Sequence, residues 1–254
     1  MLKEKNLLSH ELLGYPRFTI YQKKDLFKFT IDSILLSSFV DVNSKVKRII
    51  DLGCGNAVIP IYLTLKTNAQ IYGIEIQKET YNLGLKSVKK NNLEQQIKLY
   101  NEDLKNAPAI FKNIKFDIVT CNPPFFKFKE SSNINKNTSL TIARHEVKIT
   151  LEEIIKASFQ LLKDKGQLYL IHRPERIVDL ISLLRKHNLE PKKIRFVYPT
   201  MGKNANHILL KAVKNGKPGS LKVKAPLYIY SKDSELTKEV KDIYNYGRDN
   251  NVIK

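Results

Sequence analysis

Cysteine is scarce in this chain: there are two in 254 residues, Cys54 and Cys121. Two thiols with no nearby Cys/His cluster exclude a disulfide scaffold and a metal site of ordinary spacing, so no metal is expected. No run of about 18 apolar residues occurs, which removes a transmembrane helix from the readings. The amino end, Met1-Leu2-Lys3-Glu4-Lys5-Asn6, leads into mixed polar sequence instead of an apolar core, against a secretory signal. A reduced, cytoplasmic protein is the expectation. Arginine is also sparse, eight among the 44 basic residues. The chain shows no internal repeat, and nothing in it marks an obligate protein partner.

What the chain does have is a net charge of +19 and 42% apolar residues. The apolar share suffices for the core of one large α/β domain. The charge favours a polyanionic partner, RNA or DNA first. Richness in Lys, Asn and Ile is also what AT-rich coding sequence produces, so charge alone leaves the partner open.

From about Val46 onward, strand and helix patterns alternate. Strands are expected at Val46–Ile50, Ala69–Ile74, Ile97–Tyr100, Phe116–Cys121, Gln167–Ile171, Ile194–Tyr198 and His207–Val213. Helices are expected over roughly Val58–Lys66 and Lys78–Asn91, after Thr150, which stands at capping-box spacing from Glu153, and around Ile177–Leu184. This alternation predicts the α/β class, a mostly parallel sheet with helices on both faces. Outside it, Phe18–Thr30 alternates like a hairpin and Ile31–Val40 reads as a short helix. The tail offers a strand at Leu227–Tyr230 and a helix over roughly Glu235–Tyr246. The expected division is an amino-terminal extension over 1–45, the main domain over 46–214, and an addition packed on that domain over 215–254. Phe126–Lys148 is a long polar loop, of a length that inside a compact domain points to function or to disorder.

The most informative residues are Asn122-Pro123-Pro124-Phe125, at the carboxyl end of an expected strand. In open α/β sheets that edge is where ligands bind. Two prolines fix two φ angles and remove two donors, leaving a rigid arch of carbonyl oxygens and one amide side chain. The arch suits a planar amino nitrogen that donates hydrogen bonds while its lone pair attacks, and the ring of Phe125 suits a flat substrate. The expected chemistry is methylation of an amino group. Asp51-Leu52-Gly53-Cys54-Gly55 supplies a strand-to-helix turn where Gly53 and Gly55 let a ligand approach the backbone. It lacks the third glycine of a dinucleotide site. Asp51 beside the glycines disfavours a pyrophosphate and suits the ammonium and sulfonium of S-adenosylmethionine (SAM). Glu75 ends the next strand and suits ribose hydroxyls. Asp103 follows the third and suits the adenine amino group. Each acid alone reads as a solvated turn residue; three at successive strand ends read as one cofactor site.

These residues resemble the SAM-dependent methyltransferases of the Rossmann-like, seven-stranded class I fold. The resemblance implies an antiparallel last strand and a small amino-terminal hairpin and helix extension. Three further segments, Phe27–Leu36, Ala143-Arg144-His145-Glu146 and His172-Arg173-Pro174-Glu175-Arg176, are similar to the tRNA1(Val) (adenine-37-N6)-methyltransferase family. The resemblance implies methyl transfer to N6 of the adenine beside the anticodon, with Asn122, Pro123, Pro124 and Phe125 as the catalytic arch. SAM would be held by Asp51, Gly53, Gly55, Glu75, Asp103 and Asn122. Phe125 stands where many relatives carry Tyr, and Ala57 where Gly is frequent.

Arginine forks fit phosphate oxygens, so Arg144 and Arg173, together with Phe126, Lys127, Lys203 and Asn204, are expected to meet the RNA. Asp32 suits either the methionine end of the cofactor or a helix N-cap. His145 and Glu146 read as loop anchors. Other acceptors for the same arch are guanine N2 in ribosomal RNA, adenine N6 in DNA, and protein glutamine. A non-catalytic RNA-binding protein on the same scaffold is the alternative from another class.

Overall fold

The computed structural model describes residues 7–11, 18–23, 31–123 and 149–246. The described strands are β1 (Leu7–Glu11), β2 (Thr19–Lys23), β3 (Arg48–Leu52), β4 (Gln70–Glu75), β5 (Ile97–Asn101), β6 (Phe116–Cys121), β7 (Leu162–His172), β8 (Leu189–Tyr198), β9 (His207–Lys214), β10 (Lys222–Val223) and β11 (Leu227–Tyr228). The described α-helices are α1 (Ile31–Phe39), α2 (Val58–Thr64), α3 (Lys78–Lys90), α4 (Ala107–Ile110), α5 (Leu151–Leu161), α6 (Ile177–Lys186) and α7 (Lys238–Tyr244). Among the described residues no helix is long and apolar enough to cross a membrane.

Nine strands form one sheet in the order β10-β8-β9-β7-β6-β3-β4-β5, with β11 also paired to β8. Strands β5, β4, β3, β6 and β7 run parallel, and β9 runs antiparallel to both β7 and β8. The seven expected strands are therefore present, with the expected antiparallel one, and two short strands extend the edge at β8. Strand β6 is buried at every position and β3 at all but its first, as expected of parallel strands covered on both faces. Successive residues serve opposite faces. Ile49, Ile71, Ile118 and Tyr169 pack with α1, α2 and Val240 of α7, while Ile50, Tyr72, Val119 and Leu170 pack with α4, α5 and α6. The capping box at the start of α5 forms as expected, with Glu153 N donating to Thr150 Oγ1 (3.2 Å) and Thr150 N to Glu153 Oε2 (2.7 Å).

Several boundaries differ from expectation, among them β8, which starts at Leu189 instead of Ile194, and the tail strand and helix, which are shorter than expected. Asp51 lies inside β3 instead of after it. Strand β7 starts directly where α5 ends, five residues' worth of chain before Gln167, because Leu162 already pairs with Phe116 across a bulge. The expected hairpin over Phe18–Thr30 is a different one: Thr19–Lys23 pairs with Leu7–Glu11 upstream, and residues 24–30 lie outside the described residues. The alternation was a true strand signal, but its partner lay on the other side. On its other edge β2 is met by side chains. Tyr21 N donates to Ser87 Oγ (3.0 Å) and Thr19 N to Asn91 Oδ1 (2.8 Å) on or just past α3, and Asn56 Nδ2 donates to Tyr21 O (3.0 Å). On the far side of the sheet, Arg195 of β8 forks onto Glu239 of α7, with Nη1–Oε1 at 2.7 Å and Nη2–Oε2 at 2.8 Å.

Candidate active site at the carboxyl edge of the sheet

Parallel pairing brings the ends of β3, β4, β5, β6 and β7 to one edge. Strand β8 ends there too, since it and β7 are both antiparallel to β9. The glycine turn follows β3. Gly53 (φ 73°) and Gly55 (φ 55°) are left-handed, the region where a Cβ is strained. A side chain on Gly53 would meet nothing within 4 Å, so the turn has an open side. The turn is tied down on its other side by Gly53 N and Cys54 N, which both donate to Ile74 O at 2.9 and 3.0 Å. Ala57, buried and also left-handed at φ 70°, is the N-cap of α2. The departure from glycine noted in the sequence thus falls on a backbone conformation that glycine would adopt without strain.

Glu75 holds this turn. Its Oε2 accepts from Gly55 N (3.0 Å) and its Oε1 from Gln77 N (2.8 Å), linking the glycine loop to the start of α3. Burial pushes its carboxyl above the ordinary range, opposed by those N–H groups. Asp51 is fully buried, and Thr120 Oγ1 donates to its Oδ1 at 2.6 Å. Its Oδ2 is buried without a hydrogen-bond partner. Burial pushes the Asp51 carboxyl up to about 8; the Thr120 hydrogen bond opposes the rise and the charge of Glu75 adds to it. An orphaned buried carboxylate oxygen beside an open glycine turn fits a cationic ligand, because a buried charge demands a partner. The residues present therefore fit SAM. Asp103 stands just past β5. Its Oδ1 accepts from Lys105 N (2.9 Å) as the cap of the turn Leu104–Asn106, which leaves Oδ2 toward solvent at 3.4 Å from Lys105 Nζ.

Asn122 and Pro123 follow β6, and the register pairs Leu52 with Cys121, so Asn122 leaves β6 at the level where the glycine turn leaves β3. Pro123 is buried and Asn122 half-buried. Asn122 Nδ2 donates to Ser33 Oγ on α1 at 3.1 Å. Asp32 lies within the first turn of α1, not ahead of it, so it is not the N-cap; its Oδ1 is 3.4 Å from His207 Nε2 on β9. Burial lowers the His207 imidazole, with Asp32 opposing. Pro124, Phe125, Phe126, Lys127, Arg144, His145 and Glu146 lie outside the described residues.

Arg173 follows β7 and is exposed; its Nη1 donates to Asn206 O at 3.1 Å. That bond joins it to the β8–β9 connection, where Lys203 and Asn204 are exposed. The three expected RNA-facing residues that are described thus gather on one rim. His172, buried beside them, is lowered to about 4 by burial and by Arg176, and accepts from Arg173 N at 2.8 Å. Cys54 and Cys121 are buried free thiols at the ends of neighbouring strands, both pushed well above the usual thiol range by burial and by Asp51.

Ser33, Thr120, Asn56 and His207 were not singled out from sequence. Thr120 meets Asp51 only through the register of β6 against β3, which no local pattern announces. Ser33 sits inside the Phe27–Leu36 segment that carried the closer resemblance, without any residue-level role attached to it.

The fold is that of the Rossmann-like methyltransferases. The crystal structure of a predicted O-methyltransferase from Agrobacterium tumefaciens superposes with a TM-score of 0.67 at 22% identity, over 85% of this chain and 96% of that one. A 16S rRNA guanine-N2 methyltransferase from T. thermophilus, in complex with AdoMet and guanosine, gives a TM-score of 0.57 at 19% identity, over 82% and 50%. Residues 27–188 match the methyltransferase small domain family, and the chain belongs to that family. Among curated relatives, the tRNA1(Val) (adenine(37)-N6)-methyltransferase of Parabacteroides distasonis is 25% identical over 93% of this chain and 99% of its own. The protein of the same name from Trichodesmium erythraeum is 25% identical over 91% and 96%.

Proposed function

We propose that the protein is a SAM-dependent methyltransferase that adds a methyl group to N6 of an adenine in tRNA, the adenine beside the anticodon of tRNA(Val). The observation that carries this reading is the placement of Asn122. It stands just past the end of β6, with its amide nitrogen engaged by Ser33 and, among the described residues, no donor on its oxygen. The near full-length likeness to relatives named for that reaction supports the substrate. A tRNA substrate also accounts for the charge of +19 and for the rim of Arg173, Lys203 and Asn204, and it places the enzyme in the cytoplasm.

When bound, SAM supplies an electrophilic methyl on a sulfonium. The protein's own residues do the rest. Asp51, ionised, offers Oδ2 to the cationic end, and Glu75 is fixed facing the glycine turn for the ribose. The adenine amino group is a poor nucleophile because its lone pair is delocalised into the ring. Asn122 Oδ1 and the Pro123 carbonyl accept its two N–H bonds and draw the nitrogen toward tetrahedral geometry, which raises lone-pair density. No strong base is required, since the N–H becomes acidic once the nitrogen is alkylated. A base in a single-stranded loop enters such a site at little cost, and stacking on Phe125 contributes about 1–3 kcal/mol.

The experiment is to incubate the protein with methyl-labelled SAM and, separately, tRNA, ribosomal RNA, DNA and protein from cells lacking it. Label as N6-methyladenosine in tRNA(Val) is the expected result. Label confined to ribosomal RNA, DNA or protein overturns the substrate, and no SAM binding at all overturns the reaction.

A further inference from the structure

An asparagine amide has two unlike ends, and which one faces the substrate amine decides whether it helps. The oxygen accepts an amine N–H; the NH2 meets it donor to donor. The torsion that exchanges the two ends is broad and roughly two-fold, so the amide needs a partner that holds it in place. In the structure Asn122 Nδ2 donates to Ser33 Oγ at 3.1 Å, and among the described residues no other side chain bonds this amide.

Ser33 is well placed to be that partner, with Nδ2 on its hydroxyl. It is 9% exposed, in the first turn of α1. The turn is pinned from two sides. Its neighbour Asp32 is 3.4 Å from His207 on β9, and Ser37 Oγ donates to Ser33 O at 2.7 Å. Leu35 and Leu36 bury the next residues completely in the core. The hydroxyl is thus carried by a fixed platform and not by a pliable loop.

We infer that Ser33 is a positioning residue: its hydroxyl accepts an N–H of the Asn122 amide and so holds Oδ1 toward the substrate amine. The inference rests on the reading of Asn122 as the residue that receives that amine. It also assigns work to α1, which precedes the main run of strands and helices and would otherwise only cover the sheet.

The test uses the full-length enzyme with SAM and unmodified tRNA(Val), as wild type, Ser33→Ala and Ser33→Thr. Ser33→Ala is expected to slow single-turnover methyl transfer by about 10–100-fold, the usual scale for losing an outer partner that orients an active group. The KM for SAM should not move, and Ser33→Thr should regain most of the rate. The Asn122 side-chain NH2 signals in nitrogen-15 NMR, assigned by their loss in Asn122→Asp, give a second readout that needs no substrate. They should exchange slowly with solvent in the wild type and in Ser33→Thr, and quickly in Ser33→Ala. Wild-type transfer by Ser33→Ala, or amide exchange unchanged in it, overturns the inference. If the wild type leaves tRNA unmethylated, the functional reading fails by itself, and the amide signals still decide whether Ser33 holds Asn122.

Discussion

Thr120 Oγ1 lies 2.6 Å from Asp51 Oδ1, a hydrogen bond between register partners on β6 and β3 at the buried floor of the glycine turn. It serves only one oxygen of a fully buried carboxyl, which burial pushes up to about 8. A carboxyl raised that far should keep its proton in the free protein at neutral pH, and a cationic ligand bound against it should displace that proton. Affinity for SAM should rise about tenfold per pH unit below 8 and level off above, because the ligand selects the ionised form. Calorimetry at pH 7 in buffers of different ionisation heat should show release of about one proton. Asp51→Asn should abolish both effects. Stability gives the opposite sign. The folded state keeps its proton up to about 8 while the unfolded chain releases it near the ordinary 3.8, so this group lowers stability as pH rises through that window. Asp51→Asn should gain Tm relative to wild type from pH 4 to 8; a constant difference would exclude the raised carboxyl.

Ala57 offers a test of the turn itself. It is fully buried with φ 70°. Left-handed backbone costs a non-glycine residue about 1–2 kcal/mol. Ala57→Gly removes that strain, but it loses a buried methyl, about 0.8 kcal/mol, and adds unfolded-chain freedom, about 0.5–1 kcal/mol. The changes nearly cancel, and urea unfolding should place the variant within about 1 kcal/mol of wild type. Ala57→Val puts a β-branched side chain in the same backbone and should cost more than about 2 kcal/mol. Equal tolerance of Gly and Val would mean the turn is not left-handed there.

The edge proposed to hold SAM could be read from the sequence for one physical reason. The parallel strands are buried on both faces and mostly apolar, so the glycines and polar residues that follow their ends stand out. Gly53, Glu75, Asp103 and Asn122 were read this way. Residues that serve the site from within the apolar pattern were not. Thr120 is a β-branched strand former among others, and nothing local shows that its hydroxyl meets a carboxyl. Ser33 reads as one small residue in a helix whose burial depends on long-range packing. The hairpin failed for a related reason, since period-two alternation marks a strand without naming its partner. Strand β10 has only exposed residues and so has no pattern to find.

Asn122→Ala removes the acceptor proposed to receive the substrate amine. Loss of one preorganised polar contact in a reacting site costs about 100-fold or more in turnover. The effect should lie in the transfer step, with SAM affinity little changed, because Glu75 and the Ile74 carbonyl keep the glycine turn in shape. Rapid-quench single-turnover measurement separates the two. Near-normal transfer by the variant would refute the role given to Asn122.

Arg173 joins two features of the rim proposed to meet RNA, since it is exposed at the end of β7 and its Nη1 also holds Asn206 O at 3.1 Å. If its guanidinium meets a phosphate, Arg173→Ala should weaken tRNA binding for every sequence alike and lower the slope of log affinity against log salt by about one. The contact to Asn206 predicts a second effect, because Lys203 and Asn204 sit in the loop that this bond steadies. Arg173→Lys separates the two: it keeps the charge and should keep the salt slope, yet it lacks the planar fork that reaches the carbonyl. Binding by Arg173→Lys should therefore fall between wild type and Arg173→Ala at every salt concentration. A slope unchanged in Arg173→Ala would show that this arginine serves the loop alone.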